Sequence, residues 1–195
     1  MTENIHALIQ HFLQLKTVAL LADPPPLPED RYIKAGIVPF LRDAEGFRFY
    51  LMRPKGKLPA LGQPQFQFGK GTRQHRADIG WQDIKEGKPI GEKETLAATA
   101  LREGIEELGL KLANIGELYD IGGYRFSSAT TGKPKDMWLF AAQMASPEDF
   151  AAAAQVADTT EERKWLSSAE FGIVGRPDQH YILRDIEARL IAHLK

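Results

Sequence analysis

Glu103, Glu106 and Glu107 stand at i, i+3 and i+4 within Arg102-Glu103-Gly104-Ile105-Glu106-Glu107-Leu108-Gly109-Leu110. On a helix that spacing brings three carboxylates to one side. Like charges so placed repel one another and weaken the helix that carries them. A hard divalent cation removes the objection, because Mg²⁺ prefers oxygen ligands and typically joins a few carboxylates to substrate phosphates. Ala97, Leu101, Ile105 and Leu108 fall on the opposite side, as an amphipathic helix packed on a core requires. For the ExxEE cluster taken alone, a solvated acidic helix face is the competing reading.

The neighbouring residues add to the pattern. Glu94 precedes Arg102 by eight positions, and Gly109 follows the helix where a left-handed cap is wanted. Glu94, Arg102, Glu103, Glu106, Glu107, Gly109 and Leu110 together resemble the Nudix hydrolase signature, G-x5-E-x7-R-E-U-x-E-E-x-G-U, where U is a bulky aliphatic residue. Two positions depart from it. The first U is Gly104, which costs about 1 kcal/mol relative to Ala inside a helix and calls for close approach of another backbone segment. Lys88 occupies the place of the opening glycine, six residues before Glu94. That glycine is better sought as Gly71 in Phe68-Gly69-Lys70-Gly71, so a spacer of five residues becomes one of twenty-two, residues 72–93. This insertion carries Arg73, His75, Arg76, Trp81, Lys85 and Lys88. It reads either as a substrate-contacting loop or as a tolerated surface insertion, since long loops cost little.

The resemblance implies a Nudix-type α/β/α sandwich with a mixed central sheet. It implies a hydrolase that cleaves the pyrophosphate linkage of a nucleoside diphosphate joined to another group, such as a nucleotide sugar or dinucleoside polyphosphate. Mg²⁺ or Mn²⁺ would be the cofactor, with Glu103, Glu106 and Glu107 as ligands and the Gly71 carbonyl as a further one. Arg102 would orient a carboxylate, Glu94 or Glu103. Lys70 and Arg73 are candidates for phosphate contact, with a solvated surface lysine as the alternative for Lys70. The general base is sought among the box glutamates, Glu161 and Glu162, the last two placed where relatives carry an acidic residue on a mobile loop. Phe66-Gln67-Phe68-x-x-Gly71 is similar to the Trp-Gln-Phe-Pro-Gln-Gly-Gly segment of dinucleoside polyphosphate and RNA 5′-pyrophosphate hydrolases, too short a match to name a substrate. Tyr124, Phe126 and Trp138 are base-stacking or core aromatics. A Nudix-like nucleotide-binding or regulatory module with weak catalysis is the alternative function; the full set of box carboxylates favours the enzyme.

The elements that must position these residues can be read from pattern. Apolar residues from Ile5 to Leu20 predict an amphipathic helix over residues 3–20, ended by the prolines at 24–28. Such a helix would pad the core or form a homodimer contact. Tyr32 to Leu41 and Phe47 to Arg53 predict a hairpin about Asp43-Ala44-Glu45-Gly46, with Pro39 marking a strand end or bulge. Gln65 to Phe68 predicts a short strand entering a glycine-rich turn, and the carboxylate helix follows at about 94–108. Further strands are expected at Ile115–Arg125, Lys135–Met144 and Lys164–Ser167. Helices are expected at 147–156, at Ser168–Phe171 and at Asp178–Leu194. The domain division is residues 1–31, helix and Pro-rich connector, then residues 32–195, the Nudix domain with its 72–93 insertion.

At 195 residues, 43% hydrophobic and 26% charged, the chain suits one domain with a sizeable core. A net charge of −1 provides no overall field for nucleic acid or anionic membrane; a small-molecule nucleotide is the partner that the resemblance implies. No cysteine occurs, which excludes disulfides and thiolate metal sites and fits a reducing cytoplasm. No targeting or membrane-spanning stretch is read from the sequence. His6, His11 and His193 are read as surface residues in the terminal helices, and His180 is left open between surface residue and ligand.

Overall fold

The computed structural model describes residues 5–22, 25, 27–55, 65–74, 94–128, 131–148, 150 and 160–195. Among them, seven strands form one mixed sheet, with β1 Val18–Leu20, β2 Lys34–Asp43, β3 Gly46–Pro54, β4 Gly69–Thr72, β5 Ile115–Ser127, β6 Pro134–Met144 and β7 Thr160–Leu166. The order across the sheet is β1-β5-β6-β2-β3-β7, and β4 branches from β2. The β1–β5 and β2–β6 pairs are parallel; the others are antiparallel. The helices are α1 Ile5–Leu15, α2 Leu96–Glu103, α3 Ser168–Val174 and α4 His180–His193.

Alternation along β2 explains the layers. Val38 and Phe40 face one apolar cluster, which takes in Phe171 of α3 and Ile182, Ile186 and Leu190 of α4. Ala35 and Ile37 face the other, with Ile9 and Phe12 of α1 and Leu96, Ala100 and Leu101 of α2. Helices on both faces of a mixed sheet make an α/β/α sandwich. No described helix is long and apolar enough to cross a membrane.

Several elements differ from the sequence expectation for identifiable reasons. The N-terminal helix stops at Leu15, because Val18–Leu20 finds a parallel partner in Leu118–Asp120. Its face bearing Ile9 and Phe12 is buried within the chain. Pro39 lies inside β2, at the point where one strand edge passes from β4, paired through Ile37, to β3, paired from Phe40. The missing N–H therefore breaks neither ladder on that edge. The glycine-rich turn is a strand, β4, running antiparallel to Lys34–Ile37. The expected helix at 147–156 falls largely outside the described residues, as does most of the 72–93 insertion.

Candidate active site

Thr95 caps α2, its hydroxyl accepting from the Ala98 N–H at 3.1 Å. The helix continues through Gly104–Leu108 as a π-turn and ends at Gly109, with φ 73° in the left-handed region. Gly104 sits where a side chain would collide. A Cβ there would lie 2.8 Å from Ile37 Cγ2 and 3.0 Å from Leu110 Cδ2. The crowding comes from side chains, not from the second backbone segment expected. Arg163 Nη1 donates to the Leu108 carbonyl at 2.7 Å, placing a cation at the helix C-terminus.

Arg102 is the hub of the site. It is 1% exposed, and its guanidinium donates through Nε to Glu94 Oε1 at 3.0 Å and through Nη2 to Glu94 Oε2 at 3.2 Å. Nη1 reaches Glu103 Oε1 at 2.6 Å and Glu106 Oε2 at 3.0 Å. Nη2 also donates to the Thr72 carbonyl at 3.0 Å. Burial opposes the charge on Arg102, but hydrogen bonds to Glu94 and the charges of Glu103 and Glu94 outweigh it and raise its pKa. Glu94, also buried, accepts in addition from the Thr99 hydroxyl at 3.1 Å and the Gln74 N–H at 3.0 Å.

β4 supplies the facing wall. Gly71 pairs with Ala35, and a Cβ on it would overlap the Glu103 carboxylate. No positive φ is involved, so the glycine is required for space. Glu107 Oε2 accepts from the Lys70 N–H at 2.9 Å. Glu106 is the half-exposed member, its side chain 42% accessible. Burial raises the pKa of both Glu103 and Glu107, and the neighbouring glutamates push the same way. Arg102 pulls Glu103 back, while the Lys70 amide and charge pull Glu107 back. Lys70 itself is half-buried with Nζ 3.3 Å from the Phe68 carbonyl. Loss of hydration takes its pKa down from 10.5 to about 7, against the attraction of Glu107 and with the repulsion of Arg176, Lys135 and Lys34.

The donor set toward a cation is all oxygen, which suits Mg²⁺ or Mn²⁺. Among the described residues no three carboxylate or histidine groups converge as a preformed metal cage. Glu103 and Glu106 are instead drawn onto Arg102, and Glu107 onto the Lys70 amide. The fit to a hard cation is one of donor chemistry, with Glu103, Glu106 and Glu107 as the groups that would hold it; the space left by Gly71 is taken by the Glu103 carboxylate.

Other candidates separate from this centre. Arg73 is tied down, its Nε donating to the Glu94 carbonyl at 2.7 Å and its Nη1 to the Tyr32 carbonyl at 3.4 Å. Glu161 and Glu162 lie in β7 and not on a loop, and Glu162 pairs with Arg53 at 2.9 Å. Tyr124, Phe126 and Trp138 are buried. Tyr124 donates to Asp185 at 2.7 Å, and Trp138 donates to Asp120 at 2.7 Å and packs edge-on against Tyr32. They are core aromatics. His180 contacts the Gly175 carbonyl at 2.9 Å, and His193 packs edge-on against Tyr119.

Sequence reading missed Thr95, Thr99, Gln74 and His6, whose Nδ1 lies 3.3 Å from Glu94 Oε1. Thr95 was detectable as an N-cap before an apolar run. The others reach Glu94 through the fold and leave no local signal. Gln74 and Glu94 also join backbone to backbone, Glu94 N–H to Gln74 carbonyl at 2.8 Å, so the insertion is closed at its base.

No family model and no curated protein matches the chain. Solved structures do. A NUDIX hydrolase from Listeria monocytogenes aligns over 84% of this chain and 97% of its own at TM-score 0.56 and 15% identity. An Ap4A hydrolase from C. elegans aligns over 82% and 97% at TM-score 0.53 and 20% identity. The NUDIX domain of Shewanella oneidensis NrtR, solved with ADP ribose, aligns over 100% of both chains at TM-score 0.51 and 16% identity. NrtR complexed with a 27mer DNA aligns over 82% of this chain and 62% of its own at TM-score 0.54 and 17% identity. With helices on both faces of its mixed sheet and its carboxylate helix set against β4, the chain has the Nudix hydrolase fold.

Proposed function

We propose that this chain is a Nudix pyrophosphohydrolase, dependent on Mg²⁺ or Mn²⁺, that cleaves the pyrophosphate linkage of a nucleoside diphosphate joined to a second group. One observation carries the reading: Arg102 holds Glu94, Glu103 and Glu106 together while Gly71 leaves room for the Glu103 carboxylate. Residues as far apart in the chain as Gly71 and Glu106 thus serve one polar centre.

When bound, the cation supplies charge neutralisation at phosphate and a more acidic water. The chain's own residues do the rest. Arg102 fixes Glu103 and Glu106 so that their carboxylates are positioned before substrate arrives. Lys70 offers a cation at the wall opposite the helix; an approaching phosphate would favour its charged form. A box glutamate is the favoured candidate to take a proton from water. Glu162, engaged by Arg53, is the weaker candidate for that role. A cytoplasmic setting belongs to the same proposal.

The test is a panel of ADP-ribose, dinucleoside tetraphosphate and nucleotide sugars, assayed with Mg²⁺ or Mn²⁺ and again with excess chelator. Hydrolysis that stops with chelator and returns with metal supports the reading; equal turnover in chelator overturns it. The NrtR domain solved with ADP ribose motivates a second reading, a nucleotide-binding module. Tight binding of a panel member without turnover at any metal concentration would select it.

A further inference from the structure

α1 contributes a residue to the site. His6 lies three residues before Ile9, so the helix face that buries Ile9 also turns His6 toward the start of α2. Its imidazole is only 23% exposed, and Nδ1 stands 3.3 Å from Glu94 Oε1. The two oxygens of Glu94 are served unequally. Oε2 accepts from Arg102 Nη2, the Thr99 hydroxyl and the Gln74 N–H. Oε1 has Arg102 Nε and His6. Glu94 in turn takes two of the guanidinium's bonds, and the plane so fixed directs Nη1 at Glu103 and Glu106.

We infer that His6 is a positioning residue of the active site: by holding Glu94 Oε1 it fixes the plane of Arg102, and through it the Glu103 and Glu106 carboxylates. The inference rests on the hydrolase reading for its consequence and on the His6–Glu94–Arg102 contacts for its cause. A purely structural imidazole would serve only α1 packing, which Ile9 and Phe12 already provide from buried positions.

The experiment uses the full chain as wild type, His6→Ala and His6→Gln, the last keeping a side-chain N–H donor. Two quantities are read: hydrogen exchange of the Arg102 Nε–H by ¹⁵N NMR without metal, and Mn²⁺ affinity by calorimetry. His6→Ala should speed Arg102 Nε–H exchange and weaken Mn²⁺ binding severalfold, less than the roughly 10–100-fold that loss of a group bonded directly to a ligand causes. His6→Gln should restore both in large part, with all three proteins melting within a few degrees. Unchanged Arg102 exchange in His6→Ala overturns the inference, whatever the metal does. A faster Arg102 exchange in a wild-type background that binds no Mn²⁺ keeps the positioning contact and overturns the metal reading instead. Loss of melting temperature in His6→Ala that His6→Gln does not recover would mark His6 as a packing residue and also overturn it.

Discussion

The carboxylate of Glu103 occupies the space that a Cβ on Gly71 would fill. Strand backbone at residue 71 is ordinary, so alanine is acceptable there to the chain and unacceptable to the carboxylate. Gly71→Ala should therefore fold, with an unchanged circular dichroism spectrum, and displace Glu103. Misplacement by about 1 Å costs on the order of a hundredfold in rate, so kcat should fall by that much in a metal-supplemented assay. A near-normal kcat would show that Glu103 is not needed where it stands.

Glu106 and Glu107 differ from Glu162 in what they face. Glu106→Gln and Glu107→Gln remove charge from the carboxylate side of α2 and its π-turn, and each should lower kcat roughly a hundredfold or more. Glu162→Gln removes a partner of Arg53 at the sheet edge, and its kcat should stay within about twofold, since exposed pairs contribute little. Steady-state rates on one substrate decide it.

Arg102 is charged, buried and bonded to three carboxylates. Arg102→Ala leaves Glu94 buried without its main partner, and breaking such a pair costs about 3–5 kcal/mol. Urea denaturation should report a loss of that size. Arg102→Lys should fail to restore it, because one ammonium cannot reproduce the forked contacts.

The capping box at α3 predicts an acid-side loss of stability. Ser167 N–H and hydroxyl bind Glu170 Oε2 at 2.8 and 3.0 Å, and these bonds hold the Glu170 pKa below 4.5. A carboxylate whose folded pKa is depressed contributes stability above its unfolded value and loses it as pH falls through the folded value. The stability difference between wild type and Glu170→Ala should therefore be constant above about pH 5 and shrink below pH 4.5. A difference that persists unchanged to pH 2 would contradict the cap.

Gln74 and Glu94 close the base of the insertion. Replacing residues 75–93 by a short Gly-Ser linker should keep the melting temperature within about 5 °C, since loop length enters only logarithmically. Relative rates across nucleotide substrates should change. Unfolding would mark the segment as structural, and an unchanged substrate profile would mark it as a bystander.

The carboxylate helix was legible because its information is contiguous: Glu94 to Leu110 carry spacing, cap and apolar face in one stretch. The hairpin at Asp43–Gly46 was legible for the same reason. Asp43 Oδ1 accepts from the Glu45 and Gly46 amides at 2.8 and 3.1 Å, a turn written in adjacent residues. What escaped depends on partners far along the chain. Gly69-Lys70-Gly71 has the composition of a turn, yet β2 offers it an edge and Glu103 and Leu108 need its missing side chains. Val18–Leu20 continues a helical pattern but is claimed by β5. Glu162 looked like part of a loop because its β3 partner, Arg53, is more than a hundred residues away.

β4 hangs from β2 by one edge. The N–H of Lys70 and the carbonyl of Thr72 meet side chains of the carboxylate helix, Glu107 and Arg102, where a further strand would otherwise pair. An unpaired strand edge is a template for another chain. The residues proposed for chemistry are therefore also sentries against sheet-to-sheet aggregation. Truncating Glu107 or Arg102 to Ala would bare that edge, so such a variant is expected to aggregate more readily than wild type.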